Sequence, residues 1–271
     1  MKSKWHFLIT LIVVFVCAIS LFPLISMIIM TTKTTEEIFA GFSMVPGTHF
    51  IDNIKTVVGV DFLVSYRNSL IVSVSSAILS TLFSAMAGYA LSVYHFRQRN
   101  AIYSFVLMTM MIPGSISMIG YMNEMRVLGL TKSLTPLILI WLASGFGVFW
   151  MCQYITSSMP TEIIESARID GSNEMYTFFA IVLPCIRPAL GTLLLLIFLW
   201  SWNNYLLPLV LINSTSNYTI PLYIQTLGNE YVSDYAARMT GLLLSLLPLL
   251  LAFTFGSKTF IRGLTAGAVK G

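Results

Sequence analysis

Six stretches of more than twenty residues are almost free of charge, and they decide what this chain can fold into. They run over residues 6–30, 68–94, 101–121, 134–154, 188–212 and 240–260. The first five hold no Asp, Glu, Lys or Arg, and the sixth holds only Lys258 near its end. A helix that crosses a bilayer needs roughly 20 mostly apolar residues. In lipid, every backbone N–H and C=O must be paired within the structure, so isolated runs of this length have to be helices. The chain is therefore read as an all-α integral membrane protein, with six transmembrane helices in a single domain over residues 1–271.

Composition agrees. Of the 271 residues, 56% are hydrophobic and 10% are charged, where a soluble domain carries about a quarter charged. The basic residues form no patch or stripe, so a nucleic-acid partner is not expected; membrane lipid is. The first apolar run exceeds the roughly 7–15 residues of a signal-peptide core and is read as a retained span. With the N-terminus placed inside the cell, nine of the fifteen Lys and Arg fall on the inner side, as the positive-inside rule asks. The tight turn from His95 to Arg99 is the clearest inner marker. Both termini and the segment 160–187 then lie in the cytoplasm of a multi-pass membrane protein.

That segment is a polar island between two apolar runs. Pro160 suits the first turn of a helix, where a missing N–H costs nothing. Glu162 complements the dipole of a short helix running to about Ile169. Gly171 follows where helices commonly close on a left-handed residue. Ser172 is the expected cap of a second short helix, with Glu174 in its first turn. That helix would run through Met175–Leu183 and stop at Pro184. Ala167 and Gly171 are small enough for close docking of a partner. Ile163, Ile164 and Phe178 or Phe179 offer apolar grip, and Glu165, Arg168 and Asp170 offer charge at the rim.

The island reads Glu165-Ser166-Ala167, three residues, Gly171, nine residues, Ile181, one residue, Leu183-Pro184. It resembles the coupling-loop signature of bacterial ATP-binding-cassette importer permeases at every marked position but Ser166, where Ala is usual. The resemblance implies a type I importer permease fold with cytoplasmic coupling helices in the bacterial inner membrane. It further implies that Glu165, Ser166, Ala167, Asp170, Gly171, Ile181, Leu183 and Pro184 form the contact with a separate ATPase. ATP and Mg would be bound there and not by this chain. The ending, Gly263-Leu264-Thr265-Ala266-Gly267, one residue, Val269-Lys270-Gly271, resembles the tail of the shorter subunit of maltose-type carbohydrate permeases. By that likeness, the cytoplasmic tail 261–271 lies against the ATPase pair through Gly263, Leu264, Thr265, Gly267 and Lys270. The implied partners are a second homologous permease, two ATPase subunits and an extracytoplasmic sugar-binding protein, and the implied work is sugar import by alternating access.

Near the end of the fifth run, Trp200, Trp202, Asn203, Asn204 and Tyr205 could line a sugar path, since sugars stack on aromatic faces and bond to amides. They fit an interfacial aromatic belt equally well. The resemblance makes Tyr218–Asn229 the outer loop that reaches the binding protein, with Tyr218, Thr219, Tyr223 and Gln225 as contacts. No phosphate loop is present: Gly256-Ser257-Lys258-Thr259 lacks the glycine before the lysine. Cys17, Cys152 and Cys185 stand apart, as do His6, His49 and His95, so no metal site and no catalytic set is expected. An importer for a polyol or glycerol phosphate ester stays open as an alternative, and a secondary carrier stands behind both.

Overall fold

The computed structural model describes residues 2–228 and 233–266. Helices dominate, and among the described residues the only β contact is a single bridge between Gly228 and Ser233. The chain divides into two compact units, residues 1–63 with 222–247, and residues 64–221 with 248–271.

In the first unit, α1 (Lys2–Met30) carries the first apolar run, and no part of its most apolar window is buried by the described chain. Short polar helices α2 (Thr35–Phe39) and α3 (Phe50–Val57) follow. Thr34 and Glu37 close a reciprocal capping box on α2, which satisfies two otherwise orphaned N–H groups. The buried Asn53 amide donates to Thr31 O and Lys33 O at 2.8 and 2.9 Å, tying α3 to the end of α1.

The second unit begins inside α4 (Val60–Val93). There follow α5 (Arg99–Thr109), α6 (Gly114–Val127), α7 (Thr135–Leu142) and α8 (Gly145–Ser158). One buried stripe of α4 is serine at 65, 69, 73, 76, 80 and 84. Small residues at such positions let membrane helices approach closely. Gly88 and Gly147 show how closely: a Cβ on Gly88 would sit 2.5 Å from Met151 Cβ, and one on Gly147 would strike Ser84.

Next come α9 (Thr161–Ile169), α10 (Glu174–Tyr176), a π-helical stretch over Thr177–Val182, and α11 (Leu183–Cys185). The chain continues with α12 (Arg187–Trp202), α13 (Leu206–Leu211), α14 (Ile220–Thr226) and α15 (Tyr235–Ala266). The core of this unit gathers Met151, Ile164, Val182, Ile186, Leu193, Ile197 and Trp202.

Among the described residues, four helical stretches are long and apolar enough to span a bilayer: Trp5–Met30, Asp61–Val93, Thr135–Ser158 and Tyr235–Lys258. Two bent pairs raise the number to six if each is one span. The run 101–121 is one of them: it breaks at Pro113, and α5 and α6 meet at 101°. The α region is disfavoured for Ile112 before the proline, and the helix breaks there. The other pair joins 174–185 to α12 at 81°. Alone, α12 rises about 24 Å, short of a hydrocarbon core of about 30 Å. The run 188–212 reaches that length only with α13, across an interruption at Asn203–Tyr205. The helix of the last run does not end at Phe260 but continues to Ala266.

Candidate functional site: the 160–187 loop

The loop leaves α8 through Met159 and Pro160. Pro160 does not sit in the first turn as expected but is the N-cap residue, extended at φ −64° and ψ 130°. Glu162 lies in the first turn of α9 and Arg168 in the last, so both charges complement the helix dipole. Asp170 caps the C-terminus, and Gly171 follows at φ +80°. Gly171 N–H donates to Arg168 O at 3.1 Å, and Ser172 N–H donates to Ala167 O at 3.0 Å. These two bonds make a complete Schellman closure, which requires the left-handed residue. An added Cβ at Gly171 would meet nothing within 4 Å. Within this chain, glycine is needed there for its backbone, not for space.

Asn173, not Ser172, caps the second helix, its Oδ1 accepting from Tyr176 N–H at 2.8 Å. The helix does not stop at Pro184 either. It widens into the π-turn, where Leu183 N–H reaches back five residues to Phe178 O, and passes Pro184 before breaking at Ile186. Phe178, Val182 and Ile186 anchor this stretch in the core. Ile181 and Leu183 are half-buried, and Pro184 is exposed.

Burial divides the island differently from the expectation. Ile164, Ala167 and Phe178 face the chain's own core, at 2%, 6% and 4% exposure, so none offers grip to a partner. The outward apolar side chains are Ile163, Ile169, Met175, Tyr176 and Phe179. Glu165 and Asp170 are exposed. Ser166 bonds back to Glu162 O at 2.8 Å.

Arg168 is not a free rim charge. Its Nε donates to Glu174 Oε1 at 2.8 Å, and its guanidinium stands 5.4 Å from the centre of the Tyr94 ring. The other oxygen of Glu174 accepts from Tyr94 OH at 2.6 Å and from Tyr89 OH at 3.0 Å. The Tyr89 ring meets Tyr94 at 5.6 Å and Phe178 at 5.5 Å. No sequence signal joined these four residues, because the tyrosines precede Glu174 by 80 and 85 positions.

The chain belongs to the family of binding-protein-dependent transport system inner membrane components. The model of that family matches residues 80–265, from the second half of α4 to the end of α15. Among relatives, an arabinooligosaccharide transport system permease, AraQ of Halalkalibacterium halodurans, is 36% identical over 270 residues, 97% of this chain and 96% of that protein. The lactose transport system permease LacG of Rhizobium radiobacter is 33% identical over 93% of this chain and 92% of its own length. The sn-glycerol-3-phosphate permease UgpE of Pectobacterium atrosepticum is 27% identical over 90% of both. In fold, the chain matches a bacterial importer of the acidic polysaccharide alginate at a TM-score of 0.81 and 22% identity, covering 96% of this chain and 97% of the other. It is thus an inner-membrane permease component of an ATP-binding-cassette importer, and the loop just described lies within the matched region.

The remaining expected site residues are placed as follows. Gly263 lies inside α15 and is buried; a Cβ there would strike Thr192 and come within 2.7 Å of Pro188 O. It packs α15 on α12 instead of reaching outward. Leu264 and Thr265 are in the last turn of α15, while Gly267 and Lys270 lie outside the described residues. Trp202 is 2% exposed, stacked on Phe198 and edge-on to Tyr66, which makes it core and not path lining. Asn203 donates to Leu199 O at 2.8 Å, and Asn204, in the turn before α13, accepts from Leu207 N–H at 3.1 Å. Tyr205 is half-buried and Trp200 exposed. In the outer segment, Tyr218 O accepts from Asn68 at 3.0 Å, and Thr219 is buried. Tyr223 OH bonds to Val57 O at 3.0 Å, and Gln225 is exposed with its carbonyl held by Arg238. Asn229 lies outside the described residues.

Proposed function

We propose that this chain is the smaller permease of a binding-protein-dependent sugar importer, paired with a second homologous permease and driven by two ATPase subunits. Both termini and the 160–187 loop are on the cytoplasmic side. The observation that carries the proposal is the loop itself: a short helix closed by a left-handed glycine, with Glu165 and Asp170 exposed beside Ile169 and Met175. Such a knob suits a cleft on a nucleotide-binding subunit. ATP would draw two such loops together, open the bundle outward and receive sugar from the docked binding protein; hydrolysis would reset it. Among the earlier contacts, Glu165, Asp170 and Gly171 are kept at the ATPase surface, and Ala167 is its inner support. Trp200 and Asn203 remain candidates for the solute path, and Tyr218, Tyr223 and Gln225 for the binding-protein side.

A neutral sugar is favoured over a glycerol phosphate ester. The first five apolar runs hold no Lys or Arg, so this chain offers a phosphate dianion almost no countercharge within the membrane. The sugar-permease relatives are also more alike, at 36% and 33% against 27%. Competition of labelled sugar uptake by arabino-oligosaccharides, lactose and glycerol phosphate tests this. Inhibition by the glycerol phosphate alone would overturn the sugar assignment.

A further inference from the structure

The grip of the chain on α9 is slight. Among its described side chains, Ile164 and Ala167 alone turn inward, and Glu162, Ile163, Glu165, Ser166, Arg168 and Ile169 are all exposed. Two apolar contacts resist separation but not sliding, because hydrophobic contact is non-directional. The directional hold comes from Glu174, which spends one carboxylate oxygen on Arg168 of α9 and the other on Tyr89, in the last turns of α4, and Tyr94, the residue just after it. Charge-assisted bonds of this kind are short and about twice as strong as neutral ones.

We propose that Glu174 is a positioning residue that fastens the coupling loop to α4, so that displacement of α9 reaches the second span through Tyr89 and Tyr94. This rests on the proposed coupling role of the loop. A link made only to keep the loop folded would govern assembly. A transmitting link governs how much transport each hydrolysis event yields.

The test uses the full complex in proteoliposomes with its binding protein, measuring sugar taken up per ATP hydrolysed. The double variant Tyr89→Phe/Tyr94→Phe removes both hydroxyl donors while keeping the rings and the Arg168–Glu174 pair. Glu174→Gln keeps the shape and removes the charge. Both variants should retain the ATPase on purification. Hydrolysis should stay within about twofold while uptake per ATP falls by about fivefold or more, the lower end of ordinary coupling between sites. Tyr94→Phe alone, which keeps the Tyr89 bond, should lose less. An unchanged uptake-to-hydrolysis ratio in the double variant would overturn the inference. So would loss of the ATPase from the purified complex, since the cluster would then only shape the loop. Absence of ATP-dependent uptake by the unaltered complex would instead overturn the proposed function, and this inference with it.

Discussion

Substitutions at Gly171 separate two reasons for a glycine in the proposed coupling loop. If the partner's cleft needs the space, any side chain harms in proportion to its size. If the Schellman closure needs φ +80°, what matters is tolerance of the left-handed region. Because an added Cβ meets nothing within 4 Å, the cost within the chain is conformational alone. For alanine that cost is about 1–2 kcal/mol, or about a five- to thirtyfold drop in the ratio of closed to open turn. Asparagine, which visits the left-handed region more readily, should lose less. The assay is sugar uptake by Gly171→Ala, Gly171→Asn and Gly171→Asp at matched membrane abundance, with ATPase co-purification read in parallel. The geometry predicts that asparagine retains more uptake than alanine. Aspartate should lose ATPase binding as well, because it adds charge to an already acidic rim. Asparagine proving clearly worse than alanine would refute the conformational reasoning and return the position to steric fit.

Other outcomes follow from the same contacts. Glu165→Ala should weaken ATPase retention while leaving the thermal stability of the isolated permease unchanged, since the side chain is exposed; a stability loss in differential scanning would contradict this. Ile164→Ala removes one of two inward anchors of α9 and should cost about 2–5 kcal/mol locally, seen as faster proteolysis near Arg168; an unchanged cleavage rate would argue against the anchor. Trp202→Ala should cost about 3–5 kcal/mol of stability, whereas Trp200→Ala, at an exposed position, should alter uptake before it alters melting. Gly263→Val should destabilise the permease by forcing α15 off Thr192, and a normal melting temperature would exclude that packing.

The apolar runs were legible because charge is scarce, and lipid leaves a long charge-free segment few options. Breaks within them were less so. Pro113 was visible in the sequence, but a proline inside an apolar run is compatible with either a kink or a full break, and only packing decides. In the loop, the order of turn residues located Gly171 correctly, since φ > 0 is a local property. Local signals misjudged the cap, where Asn173 stands in place of Ser172, because neighbouring polar residues compete for the same N–H. They also gave the wrong faces for Ile164 and Ala167, since a nine-residue helix has too few turns for its periodicity to show which side is covered; of the alternatives Phe178 and Phe179, Phe179 is the one that faces outward. The Glu174 cluster and the burial of Gly263 depend on residues brought together from distant segments, and no spacing rule reports those.

Mass spectrometry of what accompanies the tagged chain from its native membrane in mild detergent tests the central claim most directly. Recovery of a second six-span permease together with an ATPase, reduced by Glu165→Ala, is the predicted result. A chain that purifies alone or only with itself, even after gentle cross-linking, would contradict the assignment of the 160–187 loop as the seat of an ATPase and would put a self-powered carrier in its place.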